Sequence, residues 1–358
     1  MPINASSQHN KITIPALRVF RLSILIALSL AIAYAFAAPL PYMAPIFALL
    51  LGVKPGPVIN LKALIALIIV VTLSLGIGVL LVPLLLDYSV TAIFIVALGL
   101  YFSTYVTIIL GKALLGLFLT VGFTMISAAG LVGHSLSIMV IQGLGLAIII
   151  AVVSQWIIYP LFPKALIKAD IVAANATPET PKDSQHSNWV ALRTTLIVLP
   201  AYLLTLTNPL VYMPTIMKAV SLGQQGSSIE AKAAGKELLG STFLAGCAAI
   251  LFWFLLDLST TLFMYAACLL LFSLYFVSKI YQIFPSHFSA SFWQSTLITM
   301  LILLGPAVED SANGKDVYAA FAVRMALFIV VTVYACIAVY ALEHIKEKYF
   351  DNEPTSLP

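Results

Sequence analysis

The sequence predicts an all-α polytopic membrane protein with about twelve transmembrane helices, arranged as two parallel six-helix repeats. Of its 358 residues, 61% are hydrophobic and only 9% are charged, whereas an average soluble domain has about 25% charged residues. The apolar residues form long blocks, such as 22–38, 63–86 and 138–158. A run of about 18 or more apolar residues predicts a membrane span, so we exclude a soluble fold.

Each half of the chain holds six predicted spans. The polar segment 164–188 between the halves contains Pro178 and Pro181 and predicts a flexible linker that is too short for a domain. The predicted division is a first six-helix membrane repeat (1–162), a cytoplasmic linker (163–188), a second six-helix repeat (189–344) and a cytoplasmic tail (345–358). The predicted spans are 17–37, 41–58, 61–85, 89–109, 112–130, 136–160, 189–206, 209–225, 235–256, 258–278, 290–307 and 317–342.

The basic residues predict the orientation of the spans, since Lys and Arg are concentrated in the cytoplasmic loops of membrane proteins. With the N-terminus inside, almost all Lys and Arg residues fall in loops on that side. The turns on the opposite side hold Asp87, Asp257, Glu309 and Asp310 instead. We therefore expect a multi-pass protein of the bacterial inner membrane with both termini in the cytoplasm.

The two halves align without gaps at an offset of 170 residues, as Pro39 and Pro209 show (209 − 39 = 170). Arg18 pairs with Arg193 after a five-residue slip (193 − 18 = 175). Six is an even number of spans, so both halves face the same way, and duplicated bundles of this kind commonly enclose a solute path where their halves meet. Other matched pairs are Tyr42 and Tyr212, Lys62 and Lys232, Asp87 and Asp257, and Tyr105 and Tyr275.

The second span of each half differs from the others. In the first half a short apolar run is broken by Pro and Gly at 55–57, and its counterpart, the run 212–221, is followed by Leu-Gly-Gln-Gln-Gly-Ser-Ser at 222–228. Interrupted spans at matching positions are the best sequence indication of a transport site, because freed backbone groups must face protein or water. An ordinary short helix that ends in a turn is the alternative. The predicted solute path lies between the halves, lined by 41–57 and 209–227, with Tyr42, Pro45, Pro55, Tyr212, Pro214, Lys218, Gln224 and Gln225 as its candidate residues.

Lys218 is the charged member of this set. It lies inside the predicted span 209–225, where a buried ammonium is costly and is usually functional. A cationic side chain would attract a carboxylate there, while Tyr212 and Met213 would contact an aromatic ring. Alternatively, Lys218 snorkels to the inner membrane surface and only anchors its helix.

Arg324 is the intramembrane charge of the predicted span 317–342. It needs a partner, and Glu309, Asp310 or Asp257 are candidates on the same side of the membrane. A structural ion pair and an anion site both remain open. Because Glu309 and Asp310 follow Pro306, an exposed loop is the alternative for these two acids.

Motifs for catalysis, metals and nucleotides are missing from the sequence. It contains no Gly-x-Ser-x-Gly, no His-Glu-x-x-His and no Walker lysine loop. The three cysteines lack zinc-site spacing, and the scattered basic residues form no nucleic-acid stripe. We therefore predict no enzyme activity, no catalytic residue, no metal, no cofactor and no nucleic-acid partner. Indole and amide groups in the spans, such as Trp293 and Gln155, would contact a solute or pack between helices.

Three features together carry a family resemblance. They are Arg18 and Arg193 at the start of the first span of each half, the turn Pro-Leu-Pro-Tyr-Met-Ala-Pro at 39–45, and a link with Lys and Gly into the third span. In these features the chain resembles the fusaric-acid-resistance and aromatic-acid-exporter superfamily (FUSC-like), and in particular a compact subgroup of membrane proteins of unknown function. Larger members carry a substantial soluble domain between the halves, where this chain has only 164–188.

The resemblance implies efflux of aromatic or amphipathic weak acids, together with a periplasmic adaptor of the membrane-fusion class. Without a nucleotide site, such pumping must use an ion gradient. The alternative is a non-transporting scaffold or assembly component of an envelope complex. The candidate partners are therefore the lipid bilayer, a small-molecule solute, the adaptor and further copies of this chain.

Overall fold

The structure, a computed structural model, describes residues 5–163, 166, 169–172, 184–226, 231–314 and 316–349. These residues form helices and no strand, so the all-α prediction is confirmed for them. A π-helical turn, Gly122–Ile126, joins α5 to α6, and a 3₁₀ turn, Tyr159–Leu161, follows α7. The helices are α1 (Ala5–Ala35), α2 (Met43–Gly52), α3 (Leu61–Asp87), α4 (Ser89–Ile109), α5 (Ala113–Val121), α6 (Ser127–Val132), α7 (His134–Ile158), α8 (Ser184–Thr207), α9 (Pro209–Gly226), α10 (Ala231–Asp257), α11 (Leu262–Ile280), α12 (Ala290–Ala312) and α13 (Val317–Tyr349).

Ten stretches of the described helices are long and apolar enough to cross a bilayer, and the chain is therefore a multi-pass membrane protein. They lie in α1, α3, α4, α5 with α6, α7, α8, α10, α11, α12 and α13. The twelve predicted spans include two more, 41–58 and 209–225, whose helices α2 and α9 are not among the ten. Helix α2 has only ten residues. This gives about 15 Å of helix, against a hydrocarbon core of about 30 Å.

Helix α9 is not the broken span that the sequence predicts. It runs without interruption over its whole length, so residues 222–226 of the predicted break form its last turns. Gln224 and Gln225 are adequate helix formers, and each of the two glycines, Gly223 and Gly226, costs only about 1 kcal/mol in a helix. In the first half the predicted interruption is present, because α2 ends at Gly52 and the chain is not helical again until α3.

Helix α12 extends beyond the predicted span 290–307 and ends at Ala312. The loop considered for Glu309 and Asp310 is therefore wrong, because both residues are helical; Glu309 is exposed, whereas Asp310 is buried. Pro306 lies inside the helix instead of ending it. The α12 span is the most buried of the ten, and its packing offsets the hydrogen bond that a proline removes.

The described residues pack as two compact units, neither of which coincides with one half of the sequence. The first unit draws on the first, second and sixth predicted spans of the first half and on the fourth and fifth of the second half. The second unit draws on the first, second and sixth predicted spans of the second half and on the fourth and fifth of the first half. The third predicted span of each half, in α3 and α10, is divided between the two units. The first unit comprises Met1–Thr72, Ile138–Pro181 and Leu244–Val317, and the second comprises Leu73–Ser137, Lys182–Phe243 and Tyr318–Pro358.

In the first unit, α1 packs against α2 and α11, α11 packs against α12, and α12 contacts α2. Gly52 at the end of α2 lies against Leu22 and Leu25 of α1, where a Cβ would come within 2.8 Å of Leu22 Cδ1. Helix α2 starts close after the end of α1, yet its last residue, Gly52, packs on Leu22 near the middle of α1, so α2 runs back alongside α1 in the opposite direction.

In the second unit, α8 packs against α9 and α4, α4 packs against α5, and α9 contacts α5 and α6. This is the order of contacts found in the first unit. In each unit the first and second predicted spans of one half meet the fourth and fifth of the other. Part of the apolar core of the second unit is formed by Ile197, Ala201, Ala219, Leu222, Leu238, Val331, Ala335 and Val339.

The surfaces of α3 and α13 are strongly apolar. Leu73 and Leu80 are exposed on α3, and Val330 and Ile337 are exposed on α13. Continuous apolar surface of this kind is suited to lipid acyl chains, because lipid removes it from water.

Candidate functional site

Three candidate residues of the first half lie in or beside α2, in the first unit. Tyr42 is buried, and its ring packs on Gly305 of α12, where a Cβ would come within 2.1 Å of Tyr42 Cγ. Pro45 is buried in the first turn of α2, and Pro55 is half-buried in the non-helical segment that follows. Tyr42 and Pro45 are therefore held tightly by the helices around them.

The non-helical segment after α2 is held by two hydrogen bonds within the first unit. Tyr281 Oη donates to the carbonyl of Val53 at 2.8 Å, and Trp156 Nε1 donates to the carbonyl of Ile59 at 2.7 Å. Carbonyls freed by a helix break need partners inside a membrane protein. Here protein side chains supply them.

Two arginines and an aspartate form an ion cluster in the first unit. Arg18 Nε donates to Asp170 Oδ1 at 2.7 Å, and Arg21 Nη2 lies 2.7 Å from Asp170 Oδ2. Asp170 and Arg21 are buried, while the Arg18 side chain remains 18% exposed. Asp170 falls in the predicted linker, and its role was not predicted because its helical stretch, 169–172, is short and lies in a polar context.

Tyr159 and Tyr281 complete this site, and we call Arg18, Arg21, Tyr159, Asp170 and Tyr281 the arginine cluster. The Arg21 guanidinium lies over the ring of Tyr159, 4.2 Å from Cζ to the ring centroid. Burial raises the pKa of Tyr281 to about 12, and the nearby Arg21 opposes that rise. Tyr281 therefore stays a neutral phenol at physiological pH and adds no charge to the cluster.

The second unit contains a related ion pair. Arg193 of α8 pairs with Glu343 of α13, and Trp189 Nε1 donates to Glu343 Oε1 at 3.2 Å. Glu343 follows Arg193 by 150 residues, much as Asp170 follows Arg18 by 152. The two arginines are matched positions of the sequence repeat, and the two acids were not predicted, although acids at similar spacing after matched arginines are a detectable signal.

Lys218 is fully buried in the second unit, at 0% exposure. Its neighbours in α9, Ala219 and Leu222, belong to an apolar core built from α8, α9, α10 and α13. Cys336 of α13 is close enough to interact with Lys218 electrostatically. Because the side chain does not reach the protein surface, the snorkelling alternative does not describe it.

The other candidates in α9 are placed only in part. Tyr212 is half-buried. Pro214, Gln224 and Gln225 lie within the helix, but their side chains fall outside the described residues. The solute path between the halves therefore stays a prediction.

Arg324 is half-buried in α13. It belongs to the second unit, whereas its three candidate partners, Asp257, Glu309 and Asp310, belong to the first. The pairing of Arg324 with one of these acids stays a prediction.

Trp293 of α12 has the environment of a packing residue. Its ring meets those of Phe276 and Phe292 at centroid distances of 6.1 and 5.2 Å. Its indole Nε1 donates to Ser286 Oγ at 2.8 Å. Packing between helices, one of the two roles considered from the sequence, accounts for these contacts.

Comparison with known proteins gives one match. Residues 18–158 match the family model described as Protein of unknown function (DUF2955). The matched range includes Arg18, Arg21, Tyr42 and Pro55, but ends before Asp170. No curated protein and no solved structure matches the chain.

Proposed function

We propose that this chain is a bacterial inner-membrane exporter of aromatic or amphipathic weak acids, driven by an ion gradient and working with a periplasmic adaptor. In this proposal both termini are cytoplasmic, and the two halves are related repeats. The multi-pass architecture and the shared order of helix contacts in the two units support it. The resemblance of the sequence to aromatic-acid exporters supports the substrate class.

The observation that carries the proposal is the complete burial of Lys218. An ionisable side chain withdrawn from water inside a membrane protein is costly, and such residues commonly mark the paths of substrates or ions. Lys218 is also part of α9, which is not among the ten apolar helices. A transporter has a use for an ionisable amine in such a place, because its protonated form attracts the carboxylate of a weak acid.

The attraction at Lys218 must stay modest in this proposal. A solute that binds too tightly cannot leave, so the site has to bind well enough for entry and weakly enough for release. The apolar core beside Lys218 suits that requirement, since it offers an aromatic acid contact surface with few polar groups.

Growth of a strain that lacks the gene tests the proposal directly. Complementation with the wild-type gene should restore resistance to benzoate, Lys218→Gln should lose most of it, and Lys218→Arg should retain more because it keeps the charge. Lys112→Gln, at an exposed lysine of the same unit, is the matched control and should behave as wild type. Equal benzoate resistance with and without the wild-type gene would contradict the exporter and favour the scaffold.

A further inference from the structure

The arginine cluster of the first unit contains more positive than negative charge. Its single carboxylate, Asp170, accepts a hydrogen bond from Arg18 at Oδ1, while Oδ2 lies 2.7 Å from Arg21 Nη2 as an ion pair without hydrogen-bond geometry. Two guanidinium groups thus share one carboxylate, and Tyr281 contributes no charge. An excess cation in a buried site is unfavourable unless another group compensates it.

Arg21 also has hydrogen-bonding capacity left over. Its side chain is only 3% exposed, and its Nη1 finds no hydrogen-bond partner among the described residues. A buried N–H group without an acceptor costs about 1–3 kcal/mol, and more when it is charged. The ring of Tyr159 covers one face of the guanidinium, but a ring face does not replace an oxygen acceptor at Nη1.

Among the described residues, the related ion pair of the second unit is balanced in charge. There one arginine, Arg193, faces one acid, Glu343. The slip that aligns Arg18 with Arg193 aligns Arg21 with Leu196 (21 + 175 = 196), so the second unit has no counterpart of the second arginine. The order of helix contacts that both units share therefore does not require a second arginine at this position.

We propose that the arginine cluster is a binding site for the carboxylate of the exported acid. A monocarboxylate supplies the missing negative charge and an acceptor for Arg21 Nη1, and guanidinium groups bind carboxylates through charge-assisted hydrogen bonds. The 18% exposure of the Arg18 side chain leaves the cluster open at one side. This assignment rests on the proposed function for its choice of ligand. A lipid phosphate offers the same oxyanion chemistry, and the experiment below distinguishes a lipid phosphate from the carboxylate of an exported acid.

The test is calorimetric titration of the full-length protein, held in nanodiscs of zwitterionic phosphatidylcholine, with benzoate and with its neutral analogue benzamide. Wild type should bind benzoate at least about tenfold more tightly than benzamide, since a charged hydrogen bond contributes about 1.5–3 kcal/mol. Arg21→Leu, which reproduces Leu196, should lose much of that preference and keep only the part that Lys218 supplies, and Arg21→Lys should keep more of it. Two controls should bind benzoate within about twofold of wild type: Arg193→Gln, which breaks the balanced pair, and Lys62→Gln, which removes an exposed charge from the same unit.

Two results would overturn the site. One is unchanged benzoate binding in Arg21→Leu. The other is absence of benzoate binding together with an Arg21-dependent rise in Tm when phosphatidylglycerol replaces phosphatidylcholine, which identifies a lipid headgroup site. If the proposed export function is wrong but the site is right, benzoate binding will depend on Arg21 and no benzoate flux will be measured. If flux persists in Arg21→Leu with unchanged benzoate affinity, the exporter stands and this site is rejected.

Discussion

At the residue scale, the ion pairs in the described part of the chain join charged residues that are far apart in the sequence. Asp170 is held by Arg18 and Arg21, and Glu343 by Arg193. Such pairs contribute little net stability when formed, but they are costly to break because one charge is left buried. In the sequence, each acid lies near the end of the half whose first span holds its arginine partner, so each ion pair joins the two ends of one half.

Charge reversal at the second-unit pair tests this view. Arg193→Glu and Glu343→Arg should each lower the Tm of the purified protein, because each places like charges together in a mostly buried site. The double variant restores opposite charges and should recover much of the loss. Thermal unfolding in detergent measures all four proteins. A double variant that loses the sum of the two single losses would show that the pair is not a direct interaction.

Tyr281 provides a prediction about pH. Its folded-state pKa of about 12 lies above the ordinary value of 10.0, so the folded protein keeps a proton that the unfolded chain loses. The stabilisation linked to this proton is intact below pH 10 and is lost as the pH rises from 10 towards 12.

Tyr281→Phe removes the hydroxyl that donates to the Val53 carbonyl. The variant should be less stable at pH 7 by about 1 kcal/mol, and its stability should fall less steeply than that of wild type between pH 10 and 11.5. Chemical denaturation at a series of pH values gives both quantities. Parallel pH profiles for the two proteins would contradict the assignment.

At the element scale, the sequence predicts helices well where an apolar block is long and less well where a proline or glycine interrupts it. The blocks in α3, α4 and α7 are read correctly because lipid requires uninterrupted helices. Pro306 suggests a helix end in the sequence, yet α12 continues past it because its surroundings bury it. Asp310 could not be placed from sequence for the same reason, since its burial depends on neighbours from other parts of the chain.

The contact between α2 and α12 gives a matched pair of glycine substitutions. Gly305→Ala places a Cβ within 2.1 Å of Tyr42 Cγ and should lower the stability by about 1–3 kcal/mol, because ring and helix must move apart. Gly145→Ala in α7, where a Cβ meets nothing within 4 Å, should be neutral or stabilising by up to about 1 kcal/mol. Tm values that rank the two variants in the opposite order would show that Tyr42 is not tightly packed.

At the whole-molecule scale, the matched positions of the sequence do not reveal which helices pack together. The 170-residue offset predicts two six-helix halves, whereas each compact unit takes helices from both halves. The periodicity of apolar residues indicates which side of a helix faces lipid and which faces protein. It does not indicate which distant helix packs against the protein-facing side. Each unit nevertheless combines the first, second and sixth predicted spans of one half with the fourth and fifth of the other. Two related halves that exchanged their fourth and fifth spans would produce this composition.

Reporter fusions test the proposed topology. Fusions at Ala174, in the predicted cytoplasmic linker, and at Asn313, after α12, should give opposite signals with a reporter that is active on one side only. The reason is the concentration of Lys and Arg in loops on the predicted cytoplasmic side. Equal signals at the two positions would rule out the twelve-span arrangement.

Flux of an aromatic acid through the purified protein is the most direct test of the central claim that this chain exports weak acids by way of Lys218. The measurement is accumulation of radiolabelled benzoate in proteoliposomes at pH 8, where the acid is ionised, under an imposed proton gradient. The account predicts gradient-dependent accumulation of benzoate above that of benzamide, with most of it lost in Lys218→Gln and retained in Lys112→Gln. Benzoate accumulation by wild type that equals that of protein-free liposomes, or of Lys218→Gln, would contradict it.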